Sequence, residues 1–222
     1  MLYVGAALWQ RSHNKPAVLA VEVDTGRVVW TTVMDAQPGN GGVRGVLVDG
    51  ERIIGTGYVN CPEPGFQFVA DDGKAVVWEL DMDGNLVAER IISEEVEEEG
   101  GVALGQGAKI RRARDGGYVV GSTGWGEVGG DELNVVVVVK MSAGLEVEWC
   151  RSFGLEGGHS QMFDMVVDEE GDFLLAGHTT VGDDREVVNW DYLALKVGRD
   201  GEMLWRRTFG QPRGFDARYI VE

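Results

Sequence analysis

Carboxylates are the densest chemistry in this chain. Asp71-Asp72, Asp131-Glu132 and Asp183-Asp184 are adjacent pairs of the oxygen donors that calcium takes several at a time. No Asp-x-Asp-x-Asp-Gly loop gathers them, so solvated loop charge is the expectation. Calcium held by Asp71, Asp72, Asp183 and Asp184 is the alternative. His159 and His178 are near enough in sequence to serve as acid and base. They come without a nucleophile or a third metal ligand, and structural roles are expected for both. Ser122 and Ser160 lack the Gly-x-Ser-x-Gly setting of a hydrolase elbow. Gly124 to Gly129 matches G-x-G-x-x-G, but strand-like sequence follows where a phosphate loop needs a helix. Trp9, Trp125 and Trp190 combine an apolar body with one N–H donor, and together could form a platform for a sugar or a peptide. The alternative for these three is packing over a rim.

Short strands must carry all of these groups. Gly accounts for 34 of 222 residues and Pro for 5, a balance of tight turns and not of a flexible linker. The segments Tyr118–Thr123, Val135–Lys140 and Glu148–Gly154 recur as Phe173–Thr179, Tyr192–Lys196 and Leu204–Gly210. Lys140 and Lys196, Trp149 and Trp205, and Gly154 and Gly210 are each about 56 residues apart. Gly26, Gly84, Gly144 and Gly201 close turns between apolar strands at a similar interval. A repeat of this length built from short strands predicts an all-β propeller of four blades with four antiparallel strands each. The expected blades are 1–34 with 214–222, then 42–92, 107–153 and 160–209, forming one domain over 1–222. The segment 215–221 has the pattern of a first strand without a successor. Paired with the N-terminal strand, it would close the ring and remove its open edge. The Glu-rich stretch 93–101 is expected as a solvated loop. Trp30, Trp149 and Trp205 are expected between blades. Lys109, Asp164 and Arg218 fall at matching places on the innermost strands, with Gly45 in the fourth. Ion pairs locking neighbouring blades are the expectation there, and a ligand-binding channel the alternative.

Ala20 to Trp30, with Thr25-Gly26 at its centre, resembles the repeat of the quinoprotein-like (PQQ-type) β-propellers, Ala-x-Asp-x-x-Thr-Gly-x-x-x-Trp. Glu22 stands where that family carries Asp, and 86–92 has no Trp. The resemblance implies the ring fold and a Trp packed between blades. It does not bring the quinone, because the adjacent cysteines and calcium site of the family's dehydrogenases have no counterpart here. No cofactor is expected, with calcium the one candidate.

Charge and composition bound the function. The formal net charge is −17, which repels nucleic-acid phosphates. The basic stretch 109–114 alternates like a strand with one wet face. The longest aliphatic run, Val135 to Val139, is far short of a membrane helix, so a soluble chain is expected. Met1-Leu2-Tyr3 leads straight into strand-like sequence, which predicts no secretory signal and leaves the compartment open. Cys61 and Cys150 make no metal-ligand pair. The long connections (9–16, 35–42, 60–74, 93–107, 124–132, 154–161, 181–191 and 210–216) hold 18 acidic and 5 basic residues. Long loops on a rigid scaffold are where binding resides. The expectation is therefore a non-catalytic binding or scaffold module whose acidic face takes a protein segment or a cationic ligand. The site residues would be Trp9, Trp125, Trp190, Glu127, Asp131, Glu132, Asp183 and Asp184. A monomer is favoured. The alternatives are a lyase or hydrolase with a loop-bound metal, and half of a homodimeric eight-blade ring or an excerpt of a longer array.

Overall fold

A computed structural model describes residues 1–10, 13–35, 39–61, 73–104, 107–180 and 190–210. The chain forms four antiparallel sheets in sequence order. The first contains β1 (Leu2–Gln10), β2 (His13–Val21) and β3 (Val28–Val33). The second contains β4 (Asn40–Asp49), β5 (Arg52–Cys61), β6 (Lys74–Asp81) and β7 (Leu86–Ile91), and a short helix α1 (Ser93–Gly100) follows it. The third has β8 (Val102–Ala103), β9 (Lys109–Arg112), β10 (Tyr118–Val128), β11 (Asp131–Met141) and β12 (Val147–Phe153). The fourth has β13 (Ser160–Val167), β14 (Phe173–Thr180), β15 (Trp190–Val197) and β16 (Met203–Phe209).

Alternation along the strands explains how the sheets stack. Ile53, Val76, Trp78 and Leu80 of the second sheet pack with Val18 and Trp30 of the first. Their neighbours Ile54, Ala75 and Val77 point the other way, into a core with Val135, Val137 and Val139 of the third sheet. Val136 and Val138 in turn meet Phe173, Leu175, Leu193 and Leu195 of the fourth. A strand buried on both faces needs an unbroken apolar run, which is why 135–139 has no polar residue. The outer strands β3, β7 and β16 end the sheets and are largely exposed.

The four sheets share one feature of register. In each sheet the pairing of the last two strands has an irregularity between its final two residue pairs, after Ala20, Glu79, Lys140 and Lys196. One extra residue there re-aims the following strand and strengthens its twist. The seams between sheets repeat as well. Trp30 lies against Gly84 of the next sheet, where a Cβ would stand 2.8 Å from its ring, and its Nε1 donates to Met82 O at 3.3 Å. Trp149 lies in the same way against Gly201, with Arg151 beside it. Both glycines have positive φ, so a side chain would be strained as well as obstructed. Ala88 pairs with Glu79 as Trp149 pairs with Lys140, so the second sheet has Ala at the Trp position. There Arg52 of β5 bridges the seam by donating to Ala143 O at 3.2 and 3.1 Å.

Five expectations need correction, the first being four strands in every sheet: among the described residues the first sheet has three and the third has five, because 102–103 adds a short strand beside β10. Residues 93–100 form a helix, because Ile92 and Val96 are four apart on one face and both fully buried. Glu94 and Glu95 suit its N-terminal turn, and Gly101 ends it in the left-handed region. The segment 124–132 is not a long loop: β10 and β11 pair to Val128 and Asp131, across Gly129-Gly130 with φ of 64° and 90°. Likewise β1 and β2 pair out to Gln10 and His13. Trp205 is 36% exposed, whereas Trp149 is half-buried against Gly201 of the fourth sheet; among the described residues no glycine seat is formed against Trp205. The closing segment 215–221 lies outside the described residues. Among those described, no helix is long and apolar enough to cross a membrane.

Candidate functional site

The extended β10–β11 hairpin brings sequence-distant polar groups to one end of the third and fourth sheets. Trp125 and Asn134 are cross-strand partners on it. The Asn134 backbone N–H donates to His159 Nδ1 at 3.1 Å, which leaves the proton of the neutral ring on Nε2. The Trp125 indole meets the His159 ring edge-on, with centroids 6.0 Å apart. His159 is fixed from the other side too. Its N–H donates to Thr180 Oγ1 at 2.8 Å, and its carbonyl accepts from Thr180 N at 2.8 Å and Thr179 Oγ1 at 3.0 Å. Ser160 Oγ and Thr179 Oγ1 are 3.0 Å apart, so Ser160 serves this anchor. Ser122 is buried in β10.

Two buried atoms in this cluster, Trp125 Nε1 and Asn134 Oδ1, have no hydrogen-bond partner. A donor and an acceptor left in this state are costly unless something pairs with them. Around them the hairpin tip is acidic. Glu127 and Glu132 stand directly opposite each other, and Glu156 packs against Gly129 beside Asp131. Like charges in opposed positions repel. None of these four carboxylates makes an ion pair among the described residues, although other acidic groups do: Glu94 with Lys74 and Glu95 with Arg90.

The remaining expected site residues are dispersed. His178 is on β14 with partners of its own, flanked by Phe163 at 4.5 Å and Trp190 at 3.9 Å between centroids. Its Nε2 lies 2.7 Å from Gln161 Oε1. Trp9 is on β1 of the first sheet, 61% exposed and remote from either pair. Thus Trp125 joins His159 and Trp190 joins His178, while the three tryptophans do not form one platform. Asp164 pairs with Arg111 at 2.8 Å, linking the third and fourth sheets, whereas Lys109 is half-buried one position before Ile110. Gly45 of β4 lies against the Ala108–Ile110 backbone. Asp71, Asp72, Asp183, Asp184 and Arg218 lie outside the described residues. Among the residues described, no three His, Cys, Asp or Glu side chains are grouped as metal ligands.

At the opposite, short-turn end a cleft of about 230 Å³ opens between Arg114, Asp115, Lys140, Glu170 and Arg199. Its charges largely satisfy one another. Lys140, only 3% exposed, is held by Asp115 and Glu148, each at 2.8 Å. Burial alone would lower its pKa, but the two carboxylates outweigh that and raise it, while Asp115 is held below the ordinary range by the same contact. Lys196 repeats the arrangement with Asp168 and Asp172.

Sequence reasoning missed Asn134 and Glu156. The signal for Asn134 was its place as the last polar residue before the Val135–Val139 run. Compared with known proteins, the chain matches no family model and no curated protein sequence.

Proposed function

We propose that the chain is a non-catalytic binding module of the propeller kind, its sheets serving as blades around an axis and its hairpin end taking a basic protein segment or a cationic ligand. The observation that carries this reading is the uncompensated carboxylate group Glu127, Asp131, Glu132 and Glu156 around the unpaired Trp125 Nε1 and Asn134 Oδ1. A guanidinium or ammonium group would relieve the Glu127–Glu132 repulsion at the exposed hairpin tip. The blade reading is supported by the common register irregularity and by the two Trp–Gly seams. A binding role rather than a chemical step is supported by the two histidines, which have different partners and are each engaged in hydrogen bonds. As in the sequence reading, no cofactor enters the proposal.

The test uses labelled octa-arginine and two charge-matched triple variants. Glu127→Gln, Asp131→Asn, Glu132→Gln should weaken binding about tenfold, from roughly 0.5 kcal/mol for each exposed charge. Glu51→Gln, Asp83→Asn, Glu202→Gln at the short-turn end should weaken it about twofold or less. Equal losses would show that only total charge matters, and would overturn the assignment of the site.

A further inference from the structure

The repeated seams define what a sheet of this protein packs against, and two surfaces lack it. At each Trp seam, a Trp on the last strand and the residue two places on lie against a hairpin glycine of the next sheet. Trp30 and Thr32 meet Gly84, and Trp149 and Arg151 meet Gly201. Trp205 and Arg207 occupy the same register positions on β16, since Trp205 pairs with Lys196 as Trp149 pairs with Lys140. Among the described glycines none seats them, and Trp205 is 36% exposed. The contrast extends across the sheet. Lys140, Val138 and Val136 are buried beneath the fourth sheet at 3%, 0% and 1% exposure, while Tyr192, at the place of Val136, is 37% exposed.

The complementary surface is on the first sheet. Gly26 closes the β2–β3 turn with positive φ, as Gly84 and Gly201 close theirs, but no atom lies within 4 Å of the point where its side chain would begin. The face of this sheet turned away from the second carries Leu2, Val4, Val29 and Val33, all exposed. A sheet with a wet outer face would show polar residues at these positions. The charges also match, with Arg207 on one surface and Glu22 and Asp24 on the turn of the other.

We infer that a second copy of this chain fills both surfaces. The Trp205–Arg207 edge of each chain seats on the Gly26 turn of the other, so that two chains close head to tail into a ring of eight sheets. The plug and the socket are different surfaces, so the contact is heterologous, and two such contacts close the assembly without leaving a free edge. Among the described residues no part of the same chain occupies either surface: Trp205 is 36% exposed, and nothing lies within 4 Å of the Gly26 Cβ position. This inference is independent of the proposed ligand.

Sedimentation of the full chain across a concentration series tests it. The expected species is about 48 kDa, twice the 24.1 kDa of one chain. Trp205→Gln removes the plug. Gly26→Asn keeps the left-handed turn but places a side chain in the socket. Each variant alone should sediment as a single chain, and an equimolar mixture should recover a two-chain species through its one intact contact. The far-ultraviolet spectrum of each variant at low concentration should remain that of the parent, because neither position is enclosed within one chain. A parent that stays at one chain in the tens of micromolar overturns the inference in favour of self-closure. A parent that grows beyond two chains with concentration overturns the closed ring. Recovery failing in the mixture would overturn the head-to-tail pairing.

Discussion

Lys140 shows what a buried charge does in this repeat. It is enclosed by the fourth sheet and kept charged by Asp115 and Glu148 at its rim. Because the folded pKa of Asp115 is depressed, its contribution is complete above the ordinary carboxylate value near ~4 and is lost as pH falls through the lower folded value. Lys140 has a raised pKa, so its contribution is complete below ~10.4 and lost as pH rises beyond that. Lys140→Met should therefore cost about 1 kcal/mol at neutral pH, the half-exposed carboxylates being screened by water. It should also flatten the fall in melting temperature below about pH 4. Thermal melts of parent and variant from acid to neutral pH check both. The residue-scale pattern was partly legible in the sequence: the interval from Lys140 to Lys196 gave the repeat. Asn134 and Glu156 were not legible, because their importance depends on which residue stands across the hairpin from them and which packs onto its turn.

At the scale of elements, strand existence followed from apolar alternation and Gly turns, and β16 lies within one residue at each end of the segment Leu204–Gly210 read from the sequence. The helix did not. Its Glu run conceals the one feature that decides the matter, two apolar residues four apart, of which Val96 is completely buried. Val96→Ala should lower stability by about 2 kcal/mol, two methyl groups plus a small cavity, whereas Glu97→Gln with Glu98→Gln should stay within about 0.5 kcal/mol. Urea denaturation measures both. The seams make a second element-scale prediction. Trp149→Ala, which empties the Gly201 seat, should cost about 3 kcal/mol, while Trp205→Ala in the dissociated chain should cost under about 1 kcal/mol. Equal costs would contradict the asymmetry between the enclosed and the bare outer strand. The extended hairpins were misjudged because Gly129-Gly130 was counted as loop composition, when its backbone freedom lets the strands continue to the turn.

Among the described residues, two central sheets are packed on both faces, the two outer sheets each have one partly exposed face, and the chain has a strong excess of negative charge. The spacing of Gly26, Gly84, Gly144 and Gly201 matched the number of sheets, because each lies in the turn between the last two strands of one sheet. It did not give the seat that each Trp occupies, since a seam is a property of two sheets at once. Acidity was legible as a total. Its division into paired groups at α1 and unpaired groups at the β10–β11 tip needed coordinates. An association steered by this charge should slow steeply with ionic strength, and hydrogen exchange can locate the contact at the same time. The most direct measurement is therefore amide exchange of the full chain with and without octa-arginine at low salt. The account predicts added protection in 124–134 and 156–161, around Trp125, Glu127, Glu132 and His159. Protection confined to 113–117 and 168–173, which flank the opposite cleft, or no protection at all, would contradict it.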